Sequence, residues 1–240
     1  MQQKSPLPVA PVVTVVMPVY NEAATVGATI EALQRAYRHG PAFELVAVDD
    51  GSTDGSRAVL QESASRGILR LYVHEKNRGK GAALRTGIAA ARGQYLVIQD
   101  ADAEYDPQEH DQLIAPLREG YADVVYGNRM HDGNPVGYWR YWFGNFFISW
   151  WCSLLFYRRV HDVETGFKAF RRELADGLEL HADRFDFEVE FTARVLQRKF
   201  RLVEVPISYH PRRFSQGKKI TWRDGVQALW LLWRYRREGK

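Results

Sequence analysis

Five short apolar runs in the first 130 residues each end in a polar, glycine-rich or acidic turn, with helical patterns between them. The runs are VVTVVMPVY (12–20), FELVAVDD (43–50), LRLYVHE (69–75), QYLVIQD (94–100) and ADVVYGN (122–128). The intervening segments read as helices over 22–37, opened by Asn21 as N-cap, and over 54–66, with Asp54 near its cap. Two more follow over 79–93, whose small-residue face permits close packing, and over 107–120. Strands alternating with helices of this length specify βαβ units and a mostly parallel sheet with helices on both faces. Such sheets bind ligands beyond the carboxyl ends of their strands. PVYNE (18–22), DDGSTDGS (49–56), NRGKG (77–81), DADAE (100–104) and GNRM (127–130) all fall there. A core alone does not require five strand ends to converge on charged or glycine-rich turns.

The second half changes character. An aromatic amphipathic stretch (138–159) precedes HDVETGFKAFRR (161–172). A helix (186–200), a strand (201–209), a basic loop (210–219) and a final Trp-rich helix (222–237) follow. The chain has 240 residues, 45% of them hydrophobic and 26% charged, with no linker or repeat. It reads as one domain over 1–240, with an α/β half (12–130) and an aromatic, basic half (131–240). A single cysteine, Cys152, rules out an internal disulfide and a multi-cysteine zinc site. VAPVVTVVMPVY has one upstream Lys4, two interrupting prolines and no small-residue cleavage site, so it reads as a core strand and not a signal peptide. The most apolar stretch, 142–157, has 16 residues and includes Gly144 and Asn145, short of the ~18 to 20 needed to span a bilayer. A soluble or peripheral protein is expected. Residues 194–240 carry 13 Lys/Arg against 3 acids, so the formal +4 conceals an acidic first 193 residues and a C-terminal part suited to an anion.

DADAE places three carboxylates where the strand 94–100 runs out. Asp102 and Glu104, two apart, can aim at one point, and hard oxygen ligands of this kind suit Mg²⁺ or Mn²⁺ held jointly with substrate phosphates. The bland alternative is an acidic helix N-terminus before Pro107, but Asp106 alone would fill that role. Asp50, closing the second strand, is placed to accept hydrogen bonds from a nucleobase or ribose. NRGKG offers glycine backbone near phosphates with Lys80 as counter-charge, although it lacks the spacing of a phosphate-binding P-loop.

Taken together, PVYNE, VDDGSTDGS, NRGKGAALRTG, DADAEYDP and GNRM resemble family 2 glycosyltransferases of the GT-A, Rossmann-like fold. VETGFKAFRRE, RFDFEVEFTARVLQRKFRLVEVPISYHPR and GKKITWRDG resemble the dolichyl-phosphate mannosyltransferase branch, and the likeness covers roughly residues 12–235. The resemblance implies an inverting enzyme that moves a hexose, mannose or glucose, from GDP-mannose or UDP-glucose to a polyprenyl phosphate. It implies that Pro18, Tyr20, Glu22 and Asp50 hold the nucleoside, and that Asp100, Ala101 and Asp102 form the DxD-type element. Asp102 and Glu104 would hold the metal, with Glu104 standing where the branch often has Gln. Arg129, Lys168 and Arg212 match basic positions facing donor or acceptor phosphates. Where the branch often has a GxSK turn this chain reads SQGKK, keeping Lys218.

The implied chemistry matches the charges. Metal and Lys/Arg stabilise the leaving diphosphate, and an acceptor phosphate already ionised at neutral pH needs little general-base help. His161 reads as structural, and Asp162 as a candidate for steering the acceptor. The 138–159 stretch and the Trp-rich end read as amphipathic interfacial helices, since Trp and Tyr favour the headgroup level and Arg favours anionic lipid. Peripheral attachment to the cytoplasmic face of a membrane is therefore expected, with room for a membrane-spanning partner subunit. Two rivals remain: a glycosyltransferase using a soluble or cell-wall acceptor, and a non-catalytic membrane- or nucleic-acid-binding module. Strand-end acids would repel nucleic acid, so no nucleic-acid partner is expected.

Overall fold

A computed structural model describes residues 11–131, 134, 139–184, 186–211 and 222–238. Seven strands form one sheet in the order β3-β2-β1-β4-β6-β5-β7. They are β1 (Val13–Val19), β2 (Phe43–Asp49), β3 (Arg70–Val73), β4 (Tyr95–Ile98), β5 (Val124–Asn128), β6 (Lys168–Arg171) and β7 (Leu202–Pro206). β1 pairs in parallel with β2 and β4, β2 with β3, and β5 with β7. Only β6 runs antiparallel, between β4 and β5. Six carboxyl ends therefore share one edge of the sheet, together with Lys168, where β6 begins.

Helices α1 (Val26–Ala36), α2 (Ser56–Ser65) and α3 (Lys80–Ala90) occupy the first half, followed by α4 (His110–Arg118). The second half holds α5 (Trp139–Phe156), α6 (Arg172–Leu178), α7 (Phe187–Gln197) and α8 (Trp222–Glu238). Side chains alternate between the two faces along β1 as the pleat requires. Val13, Val15 and Met17 pack with residues of α1 and α4, whereas Val16 packs on the other face with residues of α3, α5, α7 and α8. Both faces are covered, which explains the continuous apolar strands.

Three local expectations shift. α1 starts at Val26, four residues later than its capping pattern suggests. Asn21 adopts a left-handed φ of 57° and does not cap α1; its Oδ1 accepts from Thr53 N at 2.8 Å. Asp54 accepts from Ser56 N at 2.9 Å and from Ala23 N at 3.0 Å, so the β1 and β2 turns interlock through short polar side chains. The segment at 107–120 opens as a 3₁₀ turn over Pro107–Glu109, with Asp106 accepting from Gln108 N at 2.9 Å, before α4 begins. β6 was not legible as a strand at all.

Candidate active site

The carboxyl edge of the sheet gathers the acids. β4 ends at Ile98, and the backbone beyond it is fixed from below by a buried polar chain. Tyr37 Oη lies 2.9 Å from His110 Nδ1, His110 Nε2 lies 2.9 Å from Gln99 Oε1, and Gln99 Nε2 donates to Asp100 O at 3.1 Å. Burial lowers the His110 pKa to about 3, so the ring is neutral and one nitrogen accepts while the other donates. Ala101 is buried, and its carbonyl accepts from Thr29 of α1 at 3.2 Å. Ala103 then takes a left-handed φ of 61°, reversing the chain so that Asp102 and Glu104 both stay half-exposed. Asp102 Oδ1 accepts from Glu104 N at 3.2 Å, and Glu104 Oε2 accepts from Tyr209 Oη at 2.8 Å.

Asp100 has a cation of its own. Lys80 Nζ lies 2.9 Å from Asp100 Oδ1 and 3.2 Å from Glu188 Oε1. Burial works against the ammonium, but Asp100 and Glu188 outweigh it and hold the Lys80 pKa above its ordinary value. Gly166 makes room for this pair, because a Cβ there would run into Asp100 Oδ2. Gly166 N donates to Tyr105 Oη at 3.1 Å, and the Tyr105 ring stacks on Phe167 with centroids 5.0 Å apart. The loop 160–167 is thereby drawn across the end of β4.

Arg129, just past β5, is locked by Asp162. Its Nε and Nη2 donate to the two Asp162 oxygens at 2.8 Å each, and its backbone N–H adds a third bond at 2.9 Å. The guanidinium lies over the Tyr209 ring at 5.2 Å. His161 takes the structural role expected of it: Nδ1 lies 2.5 Å from Glu204 Oε2, and Glu204 also accepts from the backbone of His161 and Asp162.

One expectation about phosphate contacts is corrected. Lys168 does not face the cleft. It is fully buried, and Nζ donates to Val163 O at 3.2 Å, to Thr165 O and to Glu188 Oε2 at 2.5 Å, above the Tyr126 ring. Burial depresses its pKa, with Glu188 working the other way. Part of the NRGKG backbone has protein partners of its own. Arg78 N and Gly79 N donate to Asp50 at 3.0 and 2.7 Å, and Ala82 N donates to Asp183 O at 3.1 Å. A Cβ on Gly79 (φ 103°) would strike Asp183 O and one on Gly81 would strike Ala182 O, so these glycines admit close packing of the 182–183 backbone. Asp50 is only 2% exposed and also sits 2.6 Å from His74 Nδ1.

Pro18, Tyr20 and Glu22 are half-buried around the end of β1. Glu22 N donates to Ser56 Oγ at 2.7 Å. Arg212 and Lys218 lie outside the described residues. Sequence reasoning missed Glu188, the acid shared by Lys80 and Lys168. Phe187, Glu188, Val189, Glu190 and Phe191 are consecutive and all buried, so α7 carries two acids inward, a placement that only packing reveals.

Among the described residues no group of three or more His, Cys, Asp or Glu side chains is arranged to hold a metal ion. Asp102 and Glu104 fit the other arrangement, in which Mg²⁺ or Mn²⁺ takes one or two carboxylates and completes its shell with water and substrate phosphate.

The family model described as Glycosyl transferase family 2 matches residues 14–178. Glycosyltransferase AglJ of Haloferax volcanii is 28% identical over 208 residues, 86% of this chain and 65% of its own length, so this chain spans about two thirds of that relative. Polyprenol monophosphomannose synthase of Mycolicibacterium smegmatis is 29% identical over 214 residues, 85% of this chain and 79% of that one. Glucosyl-3-phosphoglycerate synthase from Mycobacterium tuberculosis, solved with Mn²⁺, UDP-glucose and phosphoglyceric acid, superposes with a TM-score of 0.72 at 21% identity, covering 94% of this chain and 80% of that one. That likeness bears on the fold, and it is the GT-A fold. With strand-end motifs, sheet order and the family match in agreement over most of its length, the chain belongs to glycosyl transferase family 2.

Proposed function

We propose that the enzyme transfers a hexosyl group, mannose or glucose, from GDP-mannose or UDP-glucose to a polyprenyl phosphate with inversion. The observation that carries this reading is the half-exposed Asp102–Glu104 pair beside an Asp100 already neutralised by Lys80. Two hard-oxygen carboxylates at the end of β4 suit one divalent cation. Pro18, Tyr20 and Glu22 flank the nucleoside, and Asp50 shapes its pocket by holding the 77–79 turn.

Asp102 and Glu104 would hold Mg²⁺ or Mn²⁺, which supplies Lewis-acid neutralisation of the leaving diphosphate. Arg129, preset by Asp162, supports the same charge from the β5 side. Arg212 and Lys218 are assigned to donor and acceptor phosphates on the resemblance alone. In the transfer one acceptor phosphate oxygen bonds to the sugar's anomeric carbon from the face opposite the leaving group. The bond from that carbon to the donor oxygen breaks, and its electron pair leaves with the nucleoside diphosphate. A phosphate monoester has its second pKa near ~6, so at neutral pH the nucleophile needs no proton removed.

No helix among the described residues is long and apolar enough to cross a membrane. α5 nevertheless exposes Phe143, Phe146, Phe147 and Trp150, and α8 exposes Trp230 and Trp233. These faces support peripheral docking on the cytoplasmic side of a membrane, where the acceptor's chain resides, alone or beside a membrane-spanning partner subunit. The name of the mycobacterial relative supports the acceptor class, and the match spans 85% of this chain, so it extends beyond a half of 130 residues.

The test incubates the purified protein with GDP-mannose or UDP-glucose, Mg²⁺ or Mn²⁺, and either a polyprenyl phosphate or phosphoglycerate. Glycolipid product with one donor is expected, and the Asp102→Ala variant should lose about 10³-fold of that rate while still folding. Turnover of that variant near the wild-type rate, or product on phosphoglycerate alone, would sink the reading.

A further inference from the structure

Glu164 is a carboxyl the rest of the site leaves unused. It lies two residues after Asp162 and two before Gly166, whose missing side chain admits the Asp100–Lys80 pair. Its backbone N–H donates to Asn145 Oδ1 of α5 at 3.3 Å, so it stands where the helix with the exposed aromatic face meets the strand-end acids. The side chain is half-buried, with Oε1 sealed from solvent and without a hydrogen-bond partner among the described residues. Glu188 of α7, Lys168 of β6, Arg129 beyond β5 and Asp162 of its own loop face it. Burial first, and then Glu188, push its carboxyl up to about 7, against the pull of Lys168 and Arg129.

Ionised, Glu164 would join Glu188 and Asp162 in repelling an incoming anion. Protonated, it is a hydrogen-bond donor, and its Oε1 has no protein partner among the described residues. We propose that Glu164 binds the acceptor's phosphate through a protonated carboxyl, its O–H donating to a phosphate oxygen as the lipid enters from the α5 side. This deepens, and rests on, the polyprenyl-phosphate reading above. A hydrogen bond from a neutral acid to a phosphate oxyanion is charge-assisted and short. The arriving dianion also favours retention of the proton, because a nearby like charge raises a carboxyl's pKa. Binding and protonation are thus coupled, and acceptor affinity must fall as pH rises.

The experiment measures calorimetric binding of citronellyl phosphate, a ten-carbon prenyl phosphate, with nucleoside diphosphate and Mg²⁺ present. Over pH 7.0 to 9.0 a phosphate monoester stays almost wholly dianionic, so its own titration is silent. Wild-type affinity is expected to fall by about tenfold or more across that range. Glu164→Gln keeps a donor and cannot ionise, so the ratio between the two pH values should approach one. Glu164→Leu should bind more weakly than wild type already at pH 7.0. Nucleoside diphosphate binding by each variant certifies a folded donor half. A wild-type affinity that ignores pH, or a Glu164→Gln variant as pH-sensitive as wild type, overturns the role of Glu164 and leaves the acceptor reading standing. Failure of the wild type to bind citronellyl phosphate at either pH, with nucleotide binding intact, overturns both.

Discussion

Asp162 shows how much one buried carboxylate holds in place. It is fully buried and accepts four hydrogen bonds, three from Arg129 and one from Asn145 Nδ2 at 2.8 Å. Burial by itself would raise its pKa, but Arg129 and these donors outweigh that and hold it below the usual carboxylate value. A depressed folded pKa contributes stability above the unfolded value of about 3.9 and loses it as pH falls through the folded one. Asp162→Ala would strand a buried guanidinium, and breaking a buried pair from one side costs about 3 to 5 kcal/mol. Urea unfolding at pH 7 should show that loss, while this pair's contribution to wild-type stability should decline only below about pH 4. A loss under about 1 kcal/mol would mean the pair behaves like an exposed one. Asp102, Glu104, Arg129 and Asp162 could be singled out from sequence because each follows a strand or sits in a motif that apolar packing does not explain. Glu188 and Glu164 could not, since only tertiary packing sets one between two lysines and leaves the other unpaired. Lys168 misled for the converse reason: a lysine in GFKAF looks available until burial and Glu188 claim it.

At the scale of elements, the parallel half was legible because its apolar runs alternate with helical periods. β6 escaped for physical reasons. It has four residues, begins and ends on charges, and is stabilised by pairing on both sides rather than by its own pattern. The small-residue face of α3 was readable, and its purpose is now specific. Gly87 faces the sheet, and a Cβ there would collide with Cγ1 of Val16, with Cγ2 of Val48 next at 3.4 Å. Val16 and Val48 are fully buried and cannot retreat into solvent. Gly87→Val is therefore expected to destabilise by about 2 to 3 kcal/mol through overpacking, despite the better helix propensity of valine. Chemical denaturation would measure this. Because α3 begins at Lys80, the displaced helix should also weaken nucleotide binding, whereas a change near zero would mean that α3 does not hold that lysine in register.

For the whole molecule, charge and apolar surface are arranged together. α5 and α8 enclose a groove of about 350 Å³ lined by Phe147, Trp150, Trp151, Leu229, Trp230 and Trp233. Arginines sit beside the exposed rings: Arg234 lies 5.7 Å from the centroid of Trp230, and Arg237 4.9 Å from that of Trp233. Exposed apolar area on this scale is a liability in water unless something covers it. Indole rings flanked by guanidinium groups match the headgroup level of an anionic bilayer, which takes the rings at its interface and the positive charge at its surface. Vesicle cosedimentation separates the two contributions. Binding to phosphatidylglycerol vesicles should exceed binding to phosphatidylcholine and weaken as salt approaches about 1 M, where screening is nearly complete. Trp150→Ala with Trp230→Ala should cost about tenfold or more in partitioning at any salt, because the lost term is apolar burial. A protein that remains in the supernatant with anionic vesicles at low salt would leave the aromatic face to another occupant. The proposed acceptor's phosphate would then have to reach Asp102 and Arg129 without docking of this surface on the bilayer.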